Sequence, residues 1–585
     1  MLLTRLAEHA AHRSDLPPAY YRTRMIRWVI SIRGDGTPAT DGLEDQAGSE
    51  QPAGLPLAAP YVYRSGQRPP ATLLADTLQY VTALPVADTA KAEEEANRRN
   101  DEYIALLARW CDSAPSDEVA AAVLKYFEAG HHLNVKIPAD AKPSDLVAIM
   151  VDGQWAHLRE SAVTFWAHVV RERKSSAAGT GICLVCGREG PLLDSIPEPV
   201  RPGAIPTGTA RGRDAQLVSV NKPAQGRNGK IQLASAPVCD RCGSAAMSAL
   251  NALLADPAHR YRSADSVLTW WLREPAAFSP LEWLNQPDPD QVRKLIGELS
   301  GPHRTPGVDG VDTNAFYALT LSVNQSRVVV RDWLEVPLSQ IQRRIGNWFA
   351  DHQMTDPWHD GPQVVPLWLL ARSAGRWGTQ NGKHRYLAAV MPHGCERDLL
   401  LTALQGRRPP GYLLPHLLQR IRADGRVDLP RAALLRLILT RTPHVPKETC
   451  MPSLDPDAPY PAYQCGRMFA VLEQIQRAAL GGDVNTTIAD KYLPAATATP
   501  RAVLVMLQKN SSAHLRKLRR RNTGAYYALN SRLDEVLGHL DAGRNIPPVL
   551  DIEGQAQFIL GYHHQRAADI AAARAHVNSQ PAATS

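Results

Sequence analysis

Two short cysteine pairs constrain this chain more than any other feature: Cys183 and Cys186 form one CxxC, and Cys239 and Cys242 form another. Two thiolates three residues apart reach one ion from a single tight turn, and two such turns complete a closed tetrahedral zinc site. The 52 residues between the pairs exceed the common spacing of about 15–20, so the chain must make a long excursion and return. Two unrelated thiol pairs, or redox pairs, are the competing readings. A closed four-thiolate site is structural, so zinc on Cys183, Cys186, Cys239 and Cys242 would say what is pinned and not what is catalysed.

The pinned segment is therefore where function is sought. From 200 to 238 it carries Arg201, Arg211, Arg213, Lys222, Arg227 and Lys230 against Asp214 alone, with five glycines from Gly203 to Gly229. Glycine lets backbone amides approach phosphate oxygens closely. A basic, polar loop held at both ends suits a polyanion; a merely solvated loop is the alternative. A second basic tract lies near the C-terminus. Eight Lys or Arg and no Asp or Glu fall between Arg501 and Arg532, and the run Arg516, Lys517, Leu518, Arg519, Arg520, Arg521 sits on a predicted helix. Surface helices normally mix signs, so this run also points to phosphate. Tyr526 and Tyr527 follow it and offer stacking faces for an unpaired base, or half-buried core.

Catalytic signals are poor. His359-Asp360 lacks the further ligands of a metal phosphohydrolase, His131-His132 and His563-His564 have no partnering carboxylate at a recognisable spacing, and no P-loop is present. A binding subunit without an active site is expected. A zinc-dependent nucleic-acid-processing enzyme and an RNA- and protein-binding scaffold without DNA readout are the alternatives.

A length of 585 residues allows roughly three to four domains. Net charge is +7, with 52 Arg to 13 Lys. The excess is small for the length, so its distribution matters more than its total. Cys111, Cys395, Cys450 and Cys465 have no disulfide spacing. The first residues lack a signal-peptide pattern, and no apolar run approaches the ~18 residues of a membrane span. A cytoplasmic, reducing environment is expected, with no membrane partner.

The predicted class is α+β: a mixed N-terminal region with an inserted zinc-binding segment, then a C-terminal α-helical bundle. The expected divisions are 1–180, 181–260, 261–450 and 451–585. Residues 20–32 read as one strand, 320–333 as another, 87–130 as helical, and the Pro-rich stretch 443–461 as a linker.

Several segments, in order along the chain, carry a resemblance. YVYRSGQRPPATLLADTLQYV, GICLVCGREG, LVSVNKPAQGRNGK with APVC and ALNALL, FYALTLSVNQSRVVVRDW, and the C-terminal YQCGRMFAVLEQIQRAAL and QAQFILGYHHQR are together similar to the large subunit of the type I-C CRISPR interference complex, Cascade, a Csd-type Cas family. Val220 and Val323 depart from the family pattern, and the second cysteine pair is not expected in every member. The resemblance implies a subunit that reads the motif flanking the target (PAM) in double-stranded DNA and promotes R-loop formation, while a guide RNA (crRNA) reads the sequence. It would hold the displaced strand, sit among backbone and guide-processing Cascade subunits, and recruit a helicase-nuclease. Candidate DNA-binding residues are Arg64, Arg68, Asn221, Lys222, Arg227 and Lys230, and then Asn324, Arg327 and Arg331. Arg516, Lys517, Arg519, Arg520 and Arg521 are candidates for the displaced strand. It also implies a small subunit made from an internal start, at Met451 or Met468.

Overall fold

The computed structural model describes residues 2–579 except 50, 63–68, 175–178, 197, 207–214, 219, 277, 301–313, 325–326, 360 and 482–485. The chain forms two compact units: Met1–Pro275 with Phe316–Glu335, and Ala276–Ala315 with Val336–Ser585.

In the first unit, helix α1 (Leu2–Ala11) precedes strands β1 (Tyr21–Ile26), β2 (Trp28–Ile32), β3 (Glu44–Asp45), β4 (Leu55–Pro60) and β5 (Ala75–Thr77). Helices α2 (Leu78–Val81), α3 (Ala90–Ser113) and α4 (Glu118–Glu128) follow, then β6 (Leu146–Val151), β7 (Gln154–Trp155) and α5 (Glu160–Lys174). Strands order as β3-β2-β6-β5, with β7 on β6. The β2–β6 pair is parallel, which requires a crossover, supplied by the chain that carries α2, α3 and α4. Thr89 and Asp117 cap α3 and α4 by accepting from the Ala92 and Val119 N–H groups. Those helices cover the sheet with Tyr103, Trp110 and Tyr126, which join Trp28 and Trp166 in one buried core.

The expected single strand over 20–32 is two strands. β1 pairs antiparallel with β4, β2 joins the other sheet, and Arg27 between them donates its N–H to the Leu146 carbonyl. Trp28, Val29 and Ile30 are all buried, so both faces of β2 are covered and the alternation read from the sequence ends there.

The unit closes with β8 (Thr180–Ile182), β9 (Glu189–Pro191), α6 (Asp240–Ala255), β10 (Arg260–Arg262), β11 (Ser266–Leu272), β12 (Ala315–Asn324) and β13 (Arg327–Pro337). The last four strands form a sheet in that order. The strand expected over 320–333 is thus the end of β12 and the start of β13, two neighbouring strands of that sheet.

The second unit holds helices α7 (Pro280–Asn285), α8 (Pro289–Ser300), α9 (Leu338–His352), α10 (Leu367–Ser373), α11 (Cys395–Gln405), α12 (Leu413–Asp424) and α13 (Leu429–Thr440). It also has two antiparallel ribbons, β14 (Met354–Thr355) with β15 (Pro362–Gln363), and β16 (Arg376–Gln380) with β17 (Lys383–Leu387). Helices α14 (Pro461–Leu480), α15 (Ile488–Ala498), α16 (Pro500–Arg521), α17 (Thr523–His539) and α18 (Ile552–Ser579) complete it. Two glycines set the α14–α18 crossing. A Cβ on Gly466 would stand 1.9 Å from the Phe558 carbonyl oxygen, and one on Gly561 would stand 2.1 Å from that of Tyr463. The backbones touch where no side chain fits. Beside this crossing Arg467, 1% exposed, bonds Gln464, Gln565, Glu535 and the Pro456 carbonyl.

The stretch 443–461 is no free linker. Arg436 donates to the Cys450 carbonyl, Thr355 to that of Pro452 and Gln464 to that of Ala458, so it is fastened along its length. Among the described residues no helix is long and apolar enough to cross a membrane.

Two measurements test this packing. Gly466→Ala and Gly561→Ala should each lower unfolding stability by about 3 kcal/mol or more, because backbone must move. Gly538→Ala in α17, where nothing lies within 4 Å, should be neutral or raise it by about 0.5–1 kcal/mol. Denaturant melts that rank the three alike would refute the crossing. The second test is pH. Burial, aided by Arg436 and Arg441, lowers His352 to about 3. The ring must be neutral, since one nitrogen bonds the Trp348 carbonyl and the other accepts from the Val365 N–H. The unfolded chain takes up this proton near pH 6.5. Stability should therefore fall as pH drops from about 6.5 and level off near 3, and His352→Gln should flatten that limb.

Candidate metal centre and basic interface

The first cysteine pair sits on the loop joining β8 to β9. Gly187 follows it at φ +70°, a left-handed conformation that favours glycine, and its N–H donates to the Cys183 carbonyl over 2.9 Å. That turn brings Cys186 back beside Cys183. The second pair opens α6, with Cys239 at its N-cap and Cys242 in the first turn, where the helix dipole favours a thiolate. Backbone bonds close the two halves: Leu184 N–H to the Pro237 carbonyl and Leu193 N–H to that of Val238, both 2.9 Å. Cys183, Val238 and Cys242 are buried together, with Leu3, Val185 and Leu192 packed around them.

All four Sγ atoms lie within 4.8 Å of one another. Cys186 and Cys239 are 3.9 Å apart, too far for the about 2.05 Å disulfide bond. The separation matches the ~3.8 Å edge of a tetrahedron with metal–sulfur bonds of about 2.3 Å. Burial opposes ionisation of Cys183, but amide donors from Cys239, Cys186 and Val185 outweigh it and bring the thiol down to about 6. Burial pushes Cys239 and Cys242 up, and the neighbouring thiols push Cys242 further. The Cys183 thiolate forms readily while Cys239 and Cys242 resist, so a dication among the four would supply the missing charge. The cluster can hold a metal ion.

From this base the chain loops out. Asn221, Lys222, Arg227 and Lys230 are all exposed. The loop is compact: the Gln232 N–H donates to the Val220 carbonyl over 2.7 Å. Gly226 has no room for a side chain, its Cβ falling 1.6 Å from the Lys230 carbonyl oxygen. Arg327 donates to Gln225 Oε1 over 3.0 Å, and the Val328 N–H to the Gln216 carbonyl. Two candidate groups about a hundred residues apart in sequence thus share one surface. Asn324 is exposed at the end of β12, while Arg331 reaches back to Ser322 Oγ over 2.8 Å. Arg64 and Arg68 lie outside the described residues, as do Arg211, Arg213 and Asp360.

In the second unit, Arg516, Arg519, Arg520 and Arg521 are exposed and Lys517 half-buried on α16, around the buried Leu518. No carboxylate pairs with them among the described residues. Arg519 lies over the Tyr526 ring at 5.9 Å, and Tyr527 is exposed. Arg501 and Arg532, by contrast, are consumed by the Ile546 carbonyl and Asp569. Three of the histidines have protein partners: His132 bonds Asn100, His564 bonds Tyr463, and exposed His359 bonds Asp356.

Reasoning from sequence missed one basic surface. A cavity of about 1030 Å³ in the first unit is lined by Arg22, Arg24, Arg27, Lys142 and Arg201. Arg22 stacks on Tyr61 with its guanidinium 3.4 Å from the ring centre. Period-two spacing of Arg22 and Arg24 was the available signal, and Arg201 reaches them only through the fold.

The first unit thus joins a four-thiol cluster able to hold a metal ion to an exposed basic loop, within an α+β chain. The family described as CRISPR-associated protein (Cas_Csd1) matches residues 3–569, and the chain belongs to that family. It is thereby a CRISPR-associated component of a crRNA-bearing Cascade complex. No curated protein matches the chain.

Elemental analysis should find about one metal ion per chain, lost in Cys183→Ser and in Cys242→Ser. Amide exchange should then rise across 183–242 while the α14–α18 helices stay protected. Full metal content in either variant would refute the four-thiol centre.

Proposed function

We propose that the chain is the non-enzymatic large subunit of a type I-C Cascade, with zinc on its four cysteines. It reads the flanking motif in target duplex and promotes R-loop formation. It also holds the displaced strand and recruits the helicase-nuclease. The observation that carries this reading is the exposed, acid-free loop 220–232, stapled at its roots beside the thiol cluster and braced by Arg327. A rigid loop places Asn221 and Lys222 with little entropy to lose on binding, and amide and ammonium groups suit base edges. Arg227, Lys230 and Arg327 then serve phosphates, as Arg331 and Asn324 do from the adjoining hairpin. Arg64 and Arg68 belong to the same proposed set. Zinc fits because four thiolates in a closed tetrahedron are its preferred structural site.

The displaced strand is assigned to Arg516, Lys517, Arg519, Arg520 and Arg521, whose charges no acid among the described residues neutralises. For an internally started small subunit, Met451 is the better start. A product from Met468 would lack Gly466, Arg467 and Tyr463, and with them the α14–α18 crossing.

In the assembled complex, Asn221→Ala with Lys222→Ala should erase discrimination between duplexes differing only in the flanking motif, a loss of about 1–3 kcal/mol. Unchanged discrimination would refute the assignment. Replacing Arg519, Arg520 and Arg521 by Ala should weaken binding evenly across sequences and reduce the log–log salt slope by about 2. An unaltered slope would remove the single-strand role. Intact-mass analysis of the expressed complex should reveal a polypeptide beginning at Met451.

A further inference from the structure

The second unit contains a cavity of about 680 Å³ that none of the preceding roles uses. Its walls are aromatic: Trp358, Trp368, Trp377 and Tyr386 line it together with His384. Trp358 is 62% exposed and Trp368 43%, so large flat apolar faces are left open inside a concavity. Trp377 is held rigidly. Its backbone N–H donates to Asp424 over 2.9 Å, the Arg426 guanidinium lies 3.6 Å from its ring centre, and the His384 ring runs parallel at 9° and 6.2 Å.

The charge at the rim is one-sided. The ribbon β16–β17 carries Arg376, Lys383 and Arg385 with no acid, turning at Asn381-Gly382, both at positive φ. The two carboxylates at the cavity are already engaged: Asp428 by Tyr386 and Arg426, at 2.5 and 2.6 Å, and Asp356 by His359. Arg372 and Arg385 line the cavity, are exposed, and have no carboxylate partner among the described residues. A further sign comes from the floor. His563 is 8% exposed and hydrogen-bonds the Thr355 backbone, yet its Nε2 is buried with no partner. A buried ring nitrogen left unbonded costs free energy unless a ligand completes it.

We propose that this cavity is a nucleotide-binding pocket, in which a planar base stacks on the exposed Trp358 and Trp368 rings, its edge meets His563 Nε2, and its phosphate is held by Arg372 and Arg385. A volume near 680 Å³ lies within the ordinary range of small-ligand pockets, about 300–1,000 Å³. The pairing of aromatic faces with uncommitted guanidiniums selects a base carrying phosphate over a plain apolar ligand, because each group has its own recognition element. The ligand is a free mononucleotide or one nucleotide of a single strand. This pocket is independent of the loop 220–232 and of the α16 tract.

The test uses the full chain in near-physiological salt. AMP is titrated by calorimetry, and a single-stranded oligonucleotide bearing 5-iodouracil is photocrosslinked and its attachment mapped by mass spectrometry. Saturable AMP binding, or crosslinks within 358–386, is expected. AMP alone identifies a free nucleotide, crosslinks alone identify a strand, and both together identify a pocket open to either. Trp368→Ala and Arg385→Ala, both at exposed positions, should each weaken the observed binding about tenfold, with circular dichroism unchanged. Absence of both signals overturns the proposal, as does binding unchanged in both variants. Crosslinks confined to 516–527 without AMP binding overturn the pocket while leaving the α16 tract standing.

Discussion

The return of the chain to its own starting point, after 52 residues, is the constraint on which the first unit's thiol cluster and exposed basic loop depend. Backbone bonds from Leu184 and Leu193 to Pro237 and Val238 tie the excursion's two ends, and four thiols converge at the knot. The loop is closed by the Gln232–Val220 bond and by the backbone approach at Gly226, and it leaves Asn221, Lys222, Arg227 and Lys230 at the surface.

The second unit is organised differently. Its helices are held by close backbone approach at Gly466 and Gly561, and by buried arginines satisfied mostly by carbonyl oxygens. Arg431, wholly buried, bonds the carbonyls of Ser373 and Gly375 and the carboxylate of Asp424. Such a charge is tolerable only when every donor is met. It fixes the start of β16 against α13, and so positions the aromatic ribbon whose Trp377 and Tyr386 face the cavity. The same element that stabilises the core thus orients the open pocket.

Charge is sorted by the fold. Arg501, Arg532, Arg467 and Arg431 are spent internally, while Lys222, Arg227, Lys230 and the run from Arg516 to Arg521 are left to solvent. A net charge of +7 is too small to show this. What matters is which cations keep an acid partner, and that is a property of three-dimensional neighbours.

Much was legible in the chain itself. Two CxxC pairs, the glycine after the first, the acid-free tracts and the helical period beyond 461 each follow from local chemistry, since a turn, a thiol spacing or an amphipathic face is written within a few residues. Other features were not legible because they depend on distant partners. The break at Arg27 arises from β1 and β2 choosing different sheets. Arg327 meets Gln225 only because the β12–β13 hairpin and the pinned loop converge. The fastening of 443–461 needs carbonyl acceptors met by donors on β14, α13 and α14. The aromatic pocket needs Trp358, Trp368, Trp377 and His563, more than two hundred residues from first to last, to share one cavity. Spacing along the chain could specify the four thiols as ligands, because chelation is local at each pair. Which aromatic rings stay uncovered depends on what the rest of the chain packs against them, and only folding settles that.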